Sequence, residues 1–233
     1  MAYGFRPGDV QVPLSPPIEK ARGIDPREPK TTLEVPSAEI VNGVLKLWRR
    51  VKKHSHIVIA FDTSGSMAQE NRIANARVGA AQLIDLLGGE DLVSLLPFET
   101  VPRWAVQGAP LKTQREAVSK RVEGFIPGSG TALYDAIDVA YQYLVSNPQP
   151  GLITAIVVLT DGADRDSKLT LDDLLARIQV DAEKKGVRVF TIGYGAEAQK
   201  DVLKRIAEAT QARFYEGKPE NIREVFKEIA TFF

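Results

Sequence analysis

Residues 56–67 read "HIVIAFDTSGSM". A run dominated by apolar side chains stops at an acid, and three hydroxyls and a glycine follow within five residues. Apolar residues on both sides of a strand, without alternation, mark a parallel strand covered on both faces. The segments "LITAIVVL" at 152–159 and "VRVFTI" at 187–192 carry the same signature. Polar, flexible chemistry at the end of such a strand suits a site and is out of place in a core.

Working outward, strands and helices alternate. Helical periodicity appears in "RIANARVGAAQLIDLL", "QREAVSKRVEGF", "TALYDAIDVAYQYLV", "TLDDLLARIQVDAEKK", "AQKDVLKRIAEAT" and "NIREVFKEIATF". Thr170 is placed to cap the fourth of these, with Asp172 and Asp173 in its first turn. Further strands are expected at "DLVSLLPF", "RWAVQG" and "RFYEG". Alternation of this kind predicts an α/β, doubly wound, Rossmann-like sheet that is mostly parallel, with helices on both faces. Phe61 and Phe98 are expected in its core, and Met67 in loop packing.

Ligands of such sheets sit beyond the carboxyl ends of the strands, near the point where strand order reverses. Three polar loops qualify: "DTSGSM" after the first strand, "GSGT" before a helix, and "TDGAD" after "LITAIVVL". Together they supply Asp62, Ser64, Ser66, Thr131 and Asp161. The set is all oxygen, which disfavours soft metals and suits magnesium, manganese or calcium. Residues 62, 64 and 66 fall on one side where the chain is extended, and Gly65 lets the loop curl. Neutral hydroxyls coordinate without cancelling charge. An open position on such an ion stays electrophilic, and a carboxylate from another molecule is its natural occupant. The expected role is a bridge between proteins, not a catalyst.

Composition narrows the field. Lys plus Arg and Asp plus Glu number 30 each among 233 residues, so no basic excess points to nucleic acid. There is no cysteine, which removes disulfides and thiolate chemistry. No apolar run reaches the roughly 18 residues that span a bilayer, and "MAYGFRPGDV" is not a signal peptide. Residues 1–55 carry 10 Lys/Arg against 6 Asp/Glu, and seven of the fourteen prolines precede residue 37. Composition therefore shifts near residues 50–55, and a boundary is placed there. Residues 1–54 form a proline-rich extended segment plus one short helix, capped by Ser37, with Ile40, Val44, Leu47, Trp48 and Val51 on one face. Residues 55–233 form the main domain.

The quoted motifs carry a resemblance. "DTSGSM", "GSGTALYDAI" and "LTDG" resemble the von Willebrand factor A domain with its metal-ion-dependent adhesion site. The family's DxSxS…T…D pattern maps onto Asp62, Ser64, Ser66, Thr131 and Asp161, and the resemblance covers about residues 55–233. It implies a six-stranded sheet with one short antiparallel edge strand, and divalent-metal-dependent binding of a protein ligand that supplies an acidic side chain. The stretch "GDVQVPLSPP…GIDPREPKTTLEVPSAEIVNGVLKLW" is similar to bacterial proteins that join an extracellular solute-binding domain to a von Willebrand A domain. That similarity implies a preceding solute-binding domain and an extracytoplasmic, secreted or cell-surface setting.

Other patterns compete. Gly193-x-Gly195-x-x-Ala198 after a strand, with Glu216 about 20 residues on, matches a dinucleotide fingerprint and defines the alternative, a nucleotide-binding α/β protein. Asp164 and Asp166 could hold a second ion, but a solvated loop is the simpler expectation. His54 and His56 share one side of a strand, as zinc ligands would, and an exposed strand start is expected instead.

Overall fold

The opening apolar run becomes β1 (Ser55–Asp62), wholly buried at the middle of a six-stranded sheet. The structure is a computed structural model and describes residues 36–51, 53–179, 186–195 and 198–233. The strands β2 (Leu92–Phe98), β4 (Ile153–Thr160), β5 (Arg188–Tyr194) and β6 (Phe214–Gly217) run parallel to β1. The strand β3 (Val106–Pro110) lies antiparallel against β2 at one edge. The order is β3-β2-β1-β4-β5-β6. Ala60 pairs with Leu96 on one side and Val158 on the other, so β1 has hydrogen-bonding neighbours along both edges.

Successive strand residues point to opposite faces, and both faces are covered. Ile57, Ile59 and Phe61 face α2 (Arg72–Leu86), α3 (Leu111–Glu123) and α7 (Ile222–Ala230). Val58 and Ala60 face α4 (Leu133–Ser146), α5 (Leu171–Ile178) and α6 (Lys200–Ala209). Two-sided cover is why the strands read as unbroken apolar runs. Each fully buried Ile or Val contributes about 1.5–3 kcal/mol. On the first face α2 and α7 meet so closely that a Cβ on Gly79 would lie 2.4 Å from the Phe226 ring.

The chain divides into two units, residues 1–52 and 53–233. Of the first, α1 (Ala38–Val51) is described. Ser37 Oγ accepts from Ile40 N at 3.4 Å, and Ile40, Val44 and Leu47 are exposed.

Several expectations change. A 3-10 turn, Gly65–Asn71, links β1 to α2, and Glu70 and Asn71 there are left-handed, with φ of 50° and 56°. The helix α3 starts at Leu111, straight after Pro110, and α5 ends at Ile178; residues 180–185 of its expected run lie outside the described residues. His56 is buried, not exposed: Tyr143 of α4 covers it edge-on at 5.7 Å, and Nε2 lies 3.1 Å from Ser94 Oγ. Phe61, Met67 and Phe98 are fully buried. After α7, Phe232 and Phe233 pack on Phe190 at 5.1 and 5.7 Å, beside Ile153, whose N–H donates to His54 O at 2.8 Å. The start of β1 and the last residues thus share the amino end of the parallel strands.

Candidate functional site

From the end of β1 the chain passes through α2 to β2 on one side, while β4 lies on the other. Strand order reverses between β1 and β4. Asp62 ends β1, Thr160 ends β4, and Asp161 follows. The pairing Phe61↔Leu159 sets Asp62 beside Thr160, whose hydroxyl donates to Asp62 Oδ2 at 2.5 Å. Asp62 Oδ1 accepts from Ser64 N at 2.7 Å, an Asx turn that bends the loop back over the strand end. Ser64 Oγ lies 3.1 Å from Ser66 Oγ, and Ser66 Oγ donates to Asp161 Oδ1 at 2.7 Å. Four of the five expected residues are therefore linked in one hydrogen-bonded chain.

Thr131 joins them by another route. Among the described residues no hydrogen bond ties its hydroxyl to the other four, but it lines one cleft of about 460 Å³ with Ser64 and Ser66. Its backbone is held on both sides: Thr131 N donates to Asp166 Oδ2 at 2.7 Å, and Thr131 O accepts from Arg165 N at 2.9 Å. Glycines let the walls close. A Cβ on Gly65 would lie 3.2 Å from Gly128 O, and Gly130 is left-handed, with φ of 75°.

Asp62 and Asp161 are both fully buried beneath the cleft. Burial raises the Asp62 pKa to about 6; the Thr160 and Ser64 hydrogen bonds oppose that rise, and the Asp161 charge adds to it. Asp161 has a cationic partner. Arg72, the first residue of α2 and itself buried, donates through Nη1 to Asp161 Oδ2 at 3.0 Å. Its Nη2 reaches the largely exposed Glu70 at 3.2 Å. Two contributors thus escape the sequence reading. Thr160 stands next to Asp161 in "LTDG", but its role depends on strand register. Arg72 carries one faint signal: a cation opening a helix opposes the helix dipole, which suggests an acid nearby.

Asp164 and Asp166 are engaged with the backbone. Asp164 Oδ1 accepts from Tyr134 N at 3.2 Å and from Ser167 Oγ at 2.5 Å; Ser167 Oγ in turn accepts from Asp135 N at 3.0 Å. The residue before α4, Ala132, offers no side-chain cap. The loop at 164–167 satisfies these amino-terminal N–H groups instead. Among the described residues, no group of three or more His, Cys, Asp or Glu gathers as a metal site. The cluster above is a different donor set, two acids with hydroxyls. The glycines of the dinucleotide pattern have packing reasons. A Cβ on Gly193 would lie 3.0 Å from the Phe214 ring, Gly195 has φ of 91°, and Glu216 is ion-paired with Lys200 at 2.8 Å.

Comparison with known proteins agrees with this architecture. The pattern of the von Willebrand factor type A domain matches residues 56–228. A calcium-activated chloride channel regulator 3A-1 of Mus musculus is 25% identical over 183 residues, 76% of this chain and 18% of its own length. A von Willebrand factor type A structure from Catenulispora acidiphila superposes with a TM-score of 0.65 at 22% identity, covering 76% of this chain and 42% of that one. The pilus adhesin SpaC of Lactobacillus rhamnosus GG superposes with a TM-score of 0.62 at 15% identity, covering 78% and 31%. The chain thus spans less than half the length of each.

Proposed function

The chain belongs to the von Willebrand factor type A domain family, and from that premise we propose that it is a divalent-metal-dependent protein-binding domain, not an enzyme. Domains of this family generally bind other proteins. In the proposal Asp62, Ser64, Ser66, Thr131 and Asp161 hold the ion, magnesium or else manganese or calcium. One observation carries it: a buried carboxylate pair linked through the Ser64 N–H and the Ser64 and Ser66 hydroxyls at the base of an open cleft. The donors suit a hard cation. The raised pKa of Asp62 also fits, because a buried carboxylate short of positive charge gains most from a cation.

Charge supports the bridging role. The two buried aspartates carry two negative charges and buried Arg72 returns one positive. A dication therefore leaves this buried set with a net charge of about +1. A bound ion would supply an electrophilic position for a partner's carboxylate. Arg72 keeps Asp161 from neutralising that position, and Thr160 and Ser64 N hold the Asp62 carboxylate in one orientation.

The setting follows as part of the proposal. The resemblance to a pilus adhesin suits a surface location outside the cytoplasm. No helix among the described residues is long and apolar enough to cross a membrane. A solute-binding domain before this one belongs to the same proposal, although the proline-rich residues that suggest it lie outside the described ones.

Calorimetric titration with manganese tests the reading. The wild type should bind at one site, and Thr131→Ala and Ser66→Ala should weaken binding about tenfold or more with unchanged circular dichroism. Equal heats in all three would refute it.

A further inference from the structure

We propose that Arg165 selects the partner, and that the partner presents two neighbouring carboxylates, one for the ion and one for this guanidinium. The inference rests on the ion-bridge reading above. Arg165 is the charged side chain among the residues that line the cleft with Ser64, Ser66 and Thr131. The site's own acids lie under the floor, fully buried.

The place of Arg165 is set by backbone. Its N–H donates to Thr131 O at 2.9 Å, so its Cα cannot drift from the Thr131 side of the cleft. Its sequence neighbours are acids, yet both are occupied elsewhere. Asp164 accepts from Tyr134 N and Ser167 Oγ, and Asp166 accepts from Thr131 N. Among the described residues, Arg165 is exposed and has no ion pair. The loop thus commits its own carboxylates to Thr131 and α4, while Arg165, which lines the cleft, has no ion pair among the described residues.

Two positions then define the visitor. The proposed ion offers one place for a carboxylate at the floor, and Arg165 offers a second at the wall. Asp164 and Asp166 keep their charges, but their oxygens are turned to Tyr134 N, Ser167 Oγ and Thr131 N. A single carboxylate engages one position; two adjacent acidic side chains engage both, and guanidinium is suited to carboxylate through paired N–H donors. The partner class is therefore an acidic peptide segment with consecutive Glu or Asp residues.

The test uses two end-blocked synthetic peptides, immobilised separately: Gly-Gly-Glu-Gly-Gly and Gly-Gly-Glu-Asp-Gly. Binding of the full chain is measured by surface plasmon resonance in manganese and in chelator, with manganese affinity followed separately by calorimetry. The wild type in manganese should prefer the paired-acid peptide about threefold to fivefold, the scale of an exposed ion pair. The preference should shrink at high salt. Arg165→Ala should abolish it, Arg165→Lys keep part of it, and Arg165→Glu reverse it. Manganese affinity in Arg165→Ala should match the wild type. An unchanged preference in Arg165→Ala overturns the role of Arg165 and leaves the ion bridge standing. Peptide binding that is the same in chelator overturns the ion bridge and this inference with it. Manganese-dependent capture of a heparin hexasaccharide in place of either peptide, lost in Arg165→Ala, overturns the partner class.

Discussion

Replacing Asp62 by Asn separates what the site does for stability from what it does for binding. Burial raises the Asp62 pKa from 3.8 to about 6. A group whose folded pKa lies above its unfolded value adds stability that is complete below the unfolded pKa. That stability is lost as pH rises through the folded pKa. Two pKa units correspond to about 3 kcal/mol, so the metal-free wild type should lose about that much from this group between pH 4 and pH 8. The amide removes the loss. Its oxygen can keep the Ser64 N–H, and its nitrogen can donate to Thr160 Oγ1, whose proton can turn to Gly162 O, 3.4 Å away. The second amide N–H has no acceptor in that arrangement, a cost of about 1 kcal/mol or more. In chelator at pH 8, Asp62→Asn should then be about 1–2 kcal/mol more stable than wild type, raising Tm by roughly 2–8 °C for a domain of this size. His56 tilts the other way: its pKa is lowered by burial, so its contribution is complete above about 6.5 and falls as pH drops. Taking the difference between the two proteins cancels it. Saturating manganese should reverse the order, adding about 2.7 kcal/mol to wild type at 100 times Kd and little to the variant. Thermal melts at pH 5 and pH 8, with chelator or manganese, give all four values. A variant less stable than wild type at pH 8 in chelator, or one that gains equally from manganese, would refute the reasoning.

Two further substitutions probe the surroundings. Arg72→Met leaves the fully buried Asp161 carboxylate without its cation and should destabilise the metal-free protein by about 3 kcal/mol; manganese should close much of that gap in urea denaturation. Gly79→Ala places a methyl 2.4 Å from the Phe226 ring, so a loss of about 1–2 kcal/mol is expected despite better helix propensity, with partial recovery in Gly79→Ala/Phe226→Leu.

Much of this was legible in the chain. Strands buried on both faces announce themselves because no position needs a polar residue, and β1, β4 and β5 did so. Six strand segments were legible one by one, whereas the antiparallel direction of the edge strand came from family resemblance. Three motifs at strand or helix edges pointed to five residues, and the structure links four of them by hydrogen bonds and sets Thr131 in one cleft with two of these. What escaped depends on register and tertiary approach. Thr160 meets Asp62 only once β1 and β4 are aligned, and Arg72 reaches Asp161 across 89 residues of sequence. His56 looked like a strand start facing solvent because nothing local reveals that Tyr143 lies over it. Asp164 and Asp166 do lie in a loop before a helix, Asp166 exposed, but the backbone groups of another element that they hold could not be read from sequence.

The start of the first strand and the final phenylalanines both lie at the pole of the sheet opposite the cleft. A tether joined at either end would pull from below, like a stem beneath a flower. Tension applied there would load the strand ends at the base before it disturbed the acids at the crown.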